Sequence, residues 1–145
     1  MIALLQRVST ARVDVAGEVR GEIGPGLLAL IGVRPADAPE QADRLLQRML
    51  DYRLFADATG RMNRSLRDVA GGLLLVPQFT LAADTRSGNR AGFSTAAPPD
   101  QARSLFEHLL RRAQAEHRPV ACGEFGAHMQ VHLVNDGPVT FWLEA

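Results

Sequence analysis

The stretch that decides the fold is "GGLLLVPQFTLAAD", Gly71–Asp84, in which an apolar run is interrupted and then resumes. Leu73–Val76 is typical of a buried strand. Pro77 then removes a backbone donor, and the polar side chains of Gln78 and Thr80 follow. Proline in a strand is confined to an edge, an end or a bulge. The interruption therefore predicts a functional site carried by a broken core strand.

Strand patterns flank this stretch on both sides. Residues 1–23 alternate well enough for paired strands, and Gly24–Val33 is a turn followed by an apolar run typical of a strand covered on both faces. Three short strands are expected to finish the chain. "NDGPVT", Asn135–Thr140, separates the last two and predicts a hairpin turn. Its Gly137–Pro138 peptide is also a candidate for the cis form, which sets two carbonyls side by side where an ammonium group can bind.

Two helices are predicted between the strands. Asp37 is expected to open the first, with Glu40 completing a capping box. The apolar side chains of this helix recur at helical spacing at Ala42, Leu45, Leu46, Met49 and Leu50. The second begins after "AAPPD", Ala96–Asp100, and ends near His117, which is expected on the surface. Two helices among about eight strands predict a single α/β domain over residues 1–145, with helices covering one side of a sheet and a second sheet or another subunit covering the other.

Composition narrows the function classes. The sixteen basic residues are all arginine and are balanced by sixteen acidic residues, so the chain lacks the basic signature of a general nucleic-acid binder, although a few contacts to RNA are still possible. No apolar run approaches the roughly 20 residues of a membrane span. The single cysteine, Cys122, permits no intrachain disulfide and is best interpreted as a small apolar residue. These features predict a cytoplasmic protein with no membrane or DNA partner.

Metal and triad chemistry find little support in the sequence. His128 and His132 are four residues apart, which is about 13 Å on a strand and too far for one ion, so no metal site is predicted. None of the candidate hydroxyl nucleophiles, Ser65, Ser87, Ser94 and Thr80, lies in a G-x-S-x-G elbow. "SGNRAGFST", Ser87–Thr95, is compatible with a phosphate-binding loop but is more typical of a plain exposed loop.

The motifs "PQFTLAAD" and "NDGPVTFW", in this order and with "GEIGPGLLALIGV" and the final "FWLEA", closely resemble the D-aminoacyl-tRNA deacylases over essentially the full chain. The resemblance implies a homodimer of three-layer β/β/α domains that needs no cofactor. It implies hydrolysis of the ester between a D-amino acid, or glycine, and the 3′ end of a tRNA. In that family the Gly-Pro motif of one subunit enters the site of the other, where it rejects L-amino acids by steric clash.

The same resemblance implies the site residues. Those matched to the family's catalytic motif are Gln78, Phe79 and Thr80, and those matched to its substrate-binding positions are Gly137, Pro138, Met129 and Arg7, which is expected to brace the Gly-Pro element. Backbone N–H groups around Phe79 are expected to stabilise the oxyanion. The 2′-hydroxyl of the RNA is expected to assist by its position beside the ester.

Pro77 departs from the family pattern, which usually has serine at this position. The departure leaves open a protein that binds tRNA ends or D-amino acids without cleaving them. Two further alternatives remain: Thr80 acting as a nucleophile, and a hydrolase of small esters or amides on a similar dimeric scaffold.

Overall fold

The computed structural model describes residues 1–145, and its architecture is mixed α/β with eight strands and two main helices, as predicted. The strands are β1 (Ile2–Val15), β2 (Glu18–Ile23), β3 (Gly26–Gly32), β4 (Phe55–Ala56), β5 (Met62–Arg64), β6 (Gly72–Pro77), β7 (Val120–Cys122) and β8 (Met129–Glu144). The helices are α1 (Pro39–Asp51), the single-turn α2 (Leu66–Val69) and α3 (Pro99–Glu116), with a 3₁₀ turn at Phe79–Ala82.

One curled sheet contains six of the strands. Its order is β2-β1-β3-β6-β7, with β8 also paired to β1. The first half of β1 pairs with β3 and its second half with β2, while β8 runs antiparallel along both halves. At the far side Gly21 of β2 approaches β7 so closely that a Cβ there would lie 2.6 Å from the Cys122 carbonyl oxygen. The sheet is therefore nearly closed into a barrel.

Two apolar layers result from this curvature. On β3, Leu27, Ala29 and Ile31 face the helices, whereas Leu28 faces the interior of the curled sheet beside Val13 of β1. Successive strand residues point to opposite faces, so an uninterrupted apolar run is buried on both. This arrangement confirms the β/β/α layering and the strand covered on both faces. The face of the sheet opposite the helices is covered by the same sheet, which curls over itself.

The helical layer follows the predicted stripes, except at the start of α1. The five apolar side chains predicted for α1 are all buried. The N-cap is Ala38, and Gln41 takes the capping-box position expected of Glu40, since its Oε1 accepts from the Ala38 amide at 3.0 Å. The Asp37 carboxylate instead accepts from the N-terminal ammonium at 2.6 Å. The predicted Asp37 cap is wrong because the N-terminal ammonium of Met1 carries a full charge and is the stronger partner for a carboxylate.

The end of the chain differs most from prediction. "NDGPVT" is not a hairpin turn, and the last two predicted strands are one strand, β8, which continues through Gly137–Pro138. Because β1 is 14 residues long, it offers pairing partners to both halves of β8. The expected surface position of His117 is also wrong, because its side chain is buried and its Nε2 lies 2.7 Å from the Gly71 carbonyl oxygen.

Candidate active site

Pro77 ends a strand rather than breaking one. It is the last residue of β6, and the next amide, that of Gln78, donates to the Ile31 carbonyl of β3 at 2.7 Å. Successive backbone groups of a strand alternate between its two neighbours, so the Pro77 nitrogen faces the side of β7. The last hydrogen bond on that side is the one the Gly123 amide donates to the Leu75 carbonyl at 2.9 Å, next to the Leu75–Cys122 pair. The proline therefore ends the ladder with β7, and the apolar residues that follow Thr80 form a 3₁₀ turn instead of more strand.

The 3₁₀ turn that follows carries the first motif. The Leu81 amide donates to the Gln78 carbonyl and the Ala83 amide to the Thr80 carbonyl, both at 3.2 Å. Amides at the start of a helical turn have no partner within the turn, which leaves those of Phe79 and Thr80 for a ligand. The Gln78 side-chain amide donates to the Thr80 hydroxyl. The turn thus presents backbone donors, with its two polar side chains bonded to each other.

Beside this turn lies a cleft of about 440 Å³ between the end of β6, the start of α3 and the segment before β8. Fifteen residues line it: Ile31, Val33, Val76, Pro77, Gln78, Phe79, Ala97, Pro99, Ala102, Phe106, Phe125, Gly126, Ala127, Met129 and Val131. Gln78 is the only one with a polar side chain. The cleft therefore offers no carboxylate, imidazole, thiol or hydroxyl as a general base or nucleophile.

Phe79 extends the wall of the cleft into solvent. Its ring is 55% exposed and lies 5.1 Å, centroid to centroid, from the ring of Phe93, which is 49% exposed. The intervening loop is pinned by two backbone hydrogen bonds between Asp84 and Gly92. Arg86 donates to both oxygens of the Asp84 carboxylate and, with its backbone amide, lowers the pKa of that carboxyl. Arg86 is thus engaged within the loop, which is exposed as predicted.

The second motif forms a bulge on β8. Thr140 pairs with Gln6 and Asn135 with Val8, so residues 136–139 lie opposite the single residue Arg7. The Gly137–Pro138 peptide is cis, and both residues are exposed. Such a bulge directs backbone groups away from the sheet.

Arg7 holds this bulge from the neighbouring strand. Its Nε donates to the Asp136 carbonyl at 3.2 Å, and its Nη1 donates to the Leu54 carbonyl at 2.6 Å. The guanidinium therefore ties the bulge to the segment that follows α1. A Cβ on Gly137 would lie 3.0 Å from Arg7 Nη2, so glycine is needed for the close approach.

Asn135 also holds the bulge and was missed by the sequence-based prediction. Its Nδ2 donates to the Arg7 carbonyl at 2.9 Å and to the Val139 carbonyl at 3.0 Å. An asparagine ahead of Asp-Gly is so common in turns that its spacing alone pointed to a turn residue.

The predicted site residues thus fall into two groups. Gln78, Phe79 and Met129 line the cleft, whereas Arg7, Gly137 and Pro138 do not. Thr80 lies just outside the cleft, in the turn. Met129 pairs with Val15, eight residues along β1 from Arg7, which corresponds to about 26 Å of strand. The cleft of one chain therefore contains the first motif without the second.

Three of the other candidate side chains have structural roles instead. His132 Nε2 lies 3.0 Å from the Asp14 carboxylate on the neighbouring strand. Ser65 caps α2, where its hydroxyl oxygen accepts from the Asp68 amide at 3.2 Å. Cys122 is half-buried, and burial raises the pKa of its thiol, which disfavours the reactive thiolate. The interpretation of Cys122 as a packing residue is confirmed.

Comparison with known proteins finds relatives that are similar over essentially the whole chain. The sequence profile of the family described as D-Tyr-tRNA(Tyr) deacylase matches residues 4–144. D-aminoacyl-tRNA deacylase from Pseudomonas entomophila (strain L48) is 64% identical over 144 residues, covering 99% of each chain. The namesake from Thioalkalivibrio sulfidiphilus (strain HL-EbGR7) is 67% identical over 144 residues, covering 99% of this chain and 97% of the relative.

A solved structure, described as c-Myc DNA Unwinding Element Binding Protein, superimposes with a TM-score of 0.95 at 37% identity. The match covers 100% of this chain and 99% of that one. The chain therefore belongs to the D-aminoacyl-tRNA deacylase family, as its two motifs predict. It is an ester hydrolase that acts on D-aminoacyl-tRNA. None of its helices combines the length and the apolar character needed to cross a membrane.

Proposed function

We propose that each active site is composite, built in a homodimer from the cleft of one subunit and the Gly137–Pro138 bulge of the other. The separation of the bulge from Met129 of the cleft along the β1–β8 pair, and the absence of the bulge from the cleft lining, carry this proposal. A two-fold axis makes the same surface meet itself, so the bulge of each copy can reach the cleft of the other. The bulge is exposed and held rigidly from behind by Arg7, as a group that enters a partner must be.

In this composite site the bulge selects the hand of the amino acid. Rejecting an L-residue a thousandfold requires about 4 kcal/mol, whereas one charge-assisted hydrogen bond contributes roughly 1.5–3 kcal/mol and does not distinguish hands. A rigid steric wall, here the Gly137–Pro138 bulge, does distinguish the two hands, because it penalises only the isomer whose side chain clashes with it. The Gly137 and Pro138 carbonyls bind the α-ammonium, an L side chain strikes the bulge, and a D side chain points to solvent.

Glycine is a second substrate on the same reasoning. It has no side chain to strike the wall, so glycine attached to alanine tRNA is hydrolysed as well. An enzyme that selects only by steric rejection of L side chains therefore accepts many D-amino acids and also hydrolyses glycine esters.

The chemistry is carried by backbone groups and by the substrate itself. The apolar cleft contains no side-chain base, which supports a mechanism in which the amides of Phe79 and Thr80 stabilise the oxyanion. The 2′-hydroxyl of the terminal ribose, held next to the ester, orients the attacking water. A substrate ending in 2′-deoxyadenosine, bound normally, is expected to be hydrolysed at least about a hundredfold more slowly. Equal rates would refute this step.

The proposed reaction takes place in the cytoplasm, where aminoacyl-tRNA is used. The principal experiment is hydrolysis of D-tyrosyl-tRNA by the purified protein, with L-tyrosyl-tRNA, glycyl-tRNA(Ala) and D-tyrosine ethyl ester in parallel. We expect the D-tyrosyl and glycyl substrates to be cleaved and the L-substrate to be spared. Binding of D-tyrosyl-tRNA without cleavage would favour the non-catalytic alternative, and rapid cleavage of the ethyl ester would favour a small-ester hydrolase.

A further inference from the structure

The side chain of Asn135 occupies a gap in the sheet that the bulge creates. Along regular antiparallel strands the Arg7 carbonyl would accept from a backbone amide of β8. Residues 136–139 are looped away from that position, since the pairing passes from Val8–Asn135 directly to Gln6–Thr140. The Asn135 side-chain amide takes the place of the missing donor, at 2.9 Å from the Arg7 oxygen. A buried carbonyl without such a donor would be costly.

The same amide group closes the bulge at its far end. Its second hydrogen is donated to the Val139 carbonyl at 3.0 Å, where the looped segment rejoins the strand. The Asn135 Oδ1 accepts from the Thr140 hydroxyl at 3.1 Å. Both carbonyls need a donor and the hydroxyl can supply one, so only one orientation of the amide satisfies all three partners. The side chain is thereby fixed by three hydrogen bonds.

We propose that Asn135 is a positioning residue for stereoselection: it fixes where the Gly137–Pro138 wall stands relative to the sheet. Arg7 holds the outer side of the bulge through Asp136, and Asn135 holds its base on both sides. A wall that moves rejects less sharply than a fixed one, because an L side chain can displace it at small cost. The inference rests on the proposed role of the bulge and assigns its rigidity to a residue that touches no substrate.

The test compares Asn135→Ala, Asn135→Asp and Thr140→Val with the parent enzyme. Asn135→Asp keeps the shape but replaces two donors by a carboxylate facing two carbonyl oxygens. Gln47→Ala is the matched control, because Gln47 is also a half-buried amide with two side-chain partners, Glu116 and Arg67, but lies between the helices. The readouts are kcat and KM for D-tyrosyl-tRNA and L-tyrosyl-tRNA, the thermal midpoint, and hydrogen exchange at the backbone amides of residues 6–8 and 139–141.

We expect both Asn135 variants to lower the D-over-L ratio of kcat/KM about tenfold or more, and Thr140→Val to lower it about threefold. Exchange at the bulge should quicken about tenfold in Asn135→Ala. Gln47→Ala should leave the ratio and the exchange of the bulge unchanged. The proposal is overturned if folded Asn135 variants keep the ratio within about twofold of the parent.

Two further outcomes separate this proposal from the proposed function. If the parent enzyme shows no D-over-L preference, the proposed role of the bulge fails, while unchanged exchange in Asn135→Ala would overturn the positioning role on its own. If both Asn135 variants fail to fold, Thr140→Val decides: a lowered ratio with faster exchange supports the proposal, and unchanged values overturn it.

Discussion

Arg7 and Asp136 are joined twice across the β1–β8 pair: the Arg7 Nε lies 3.2 Å from the Asp136 carbonyl oxygen and 3.2 Å from its carboxylate. Arg7 is 15% exposed at its side chain and Asp136 is 59% exposed, so the contact connects a largely covered strand to the tip of the bulge. The guanidinium also reaches the Leu54 carbonyl. This three-point contact holds the bulge to the body of its own subunit.

Replacing Arg7 by lysine should lower kcat/KM for D-tyrosyl-tRNA about ten- to a hundredfold. An ammonium is a single point and does not span the Leu54 and Asp136 carbonyls as the planar guanidinium does. The matched control is Arg12→Lys, on the same strand, whose partner is Asp14. Steady-state kinetics of both variants check this, and an equal effect of the two would contradict a special role for Arg7.

Gly137→Ala should abolish measurable activity and destabilise the fold by about 1–3 kcal/mol. Gly137 has a φ of 126°, which other residues rarely adopt, and its new Cβ would lie 2.7 Å from Val139 Cγ2. Gly60→Ala is the control for backbone strain without a steric clash, because Gly60 has a φ of 80° and a Cβ there would have nothing within 4 Å. Chemical denaturation and kinetics should show stability lost in both variants and activity lost only in Gly137→Ala. Full activity in Gly137→Ala would contradict the proposal that the substrate lies close to Gly137.

Thr80→Val should retain activity within about threefold, because the Thr80 hydroxyl is paired with the Gln78 side chain and lies outside the cleft. The substitution preserves the side-chain shape and removes only the hydroxyl. A rate lost by more than about a thousandfold in a folded Thr80→Val protein would identify the hydroxyl as a nucleophile.

Pro77→Ser, which restores the common family residue, should change kcat/KM by less than about threefold. The Pro77 nitrogen lies at the end of the β6–β7 ladder, so the added N–H can extend that ladder by at most one hydrogen bond and leaves the 3₁₀ turn unchanged. The D-tyrosyl-tRNA assay measures this. A gain above about tenfold would mean that the serine contributes directly and that Pro77 impairs this enzyme.

Glu144 should contribute stability that is lost in acid. Hydrogen bonds from Arg34, and then from Trp142, lower the pKa of Glu144 from its ordinary 4.5 to about 2. A carboxyl with a lowered pKa stabilises the fold above the ordinary value and loses that contribution as the pH falls from about 4.5 to about 2. The effect is small because the side chain is 47% exposed. The thermal midpoints of the parent and Glu144→Gln should differ at pH 7 and converge near pH 2, while Glu107→Gln, at an exposed position of α3, should differ at neither.

The layers of the fold were predictable because the spacing of apolar residues along each helix and strand indicates which face is buried. The apolar stripe of α1 is satisfied only if one face of the helix is buried, and the uninterrupted apolar run of β3 only if both faces of the strand are buried. The path of β8 was not predictable, since Asn-Asp-Gly-Pro favours a turn locally and only the length of β1 makes continued pairing possible. His117 was misplaced for a similar reason, because its partner, the Gly71 carbonyl, is 46 residues away.

The candidate site residues came from the family resemblance that the two motifs carry, and their arrangement in space could not be predicted from the sequence. Gln78 and Met129 share the cleft through long-range pairing, and the absence of any other polar side chain there is a property of the assembled surface. Asn135 was overlooked because an asparagine in a turn and one that replaces a missing ladder donor have the same local pattern.

The composite site is tested most directly by mixing two inactive variants. Ala127→Trp obstructs the cleft and leaves the bulge intact, whereas Gly137→Ala alters the bulge and leaves the cleft intact. Unfolded together and refolded at equal amounts, they should form about half mixed dimers, each with one fully intact site, and recover about a quarter of the parent activity on D-tyrosyl-tRNA. Activity no higher than that of the separate variants, with mixed dimers confirmed by mass, would contradict the composite site.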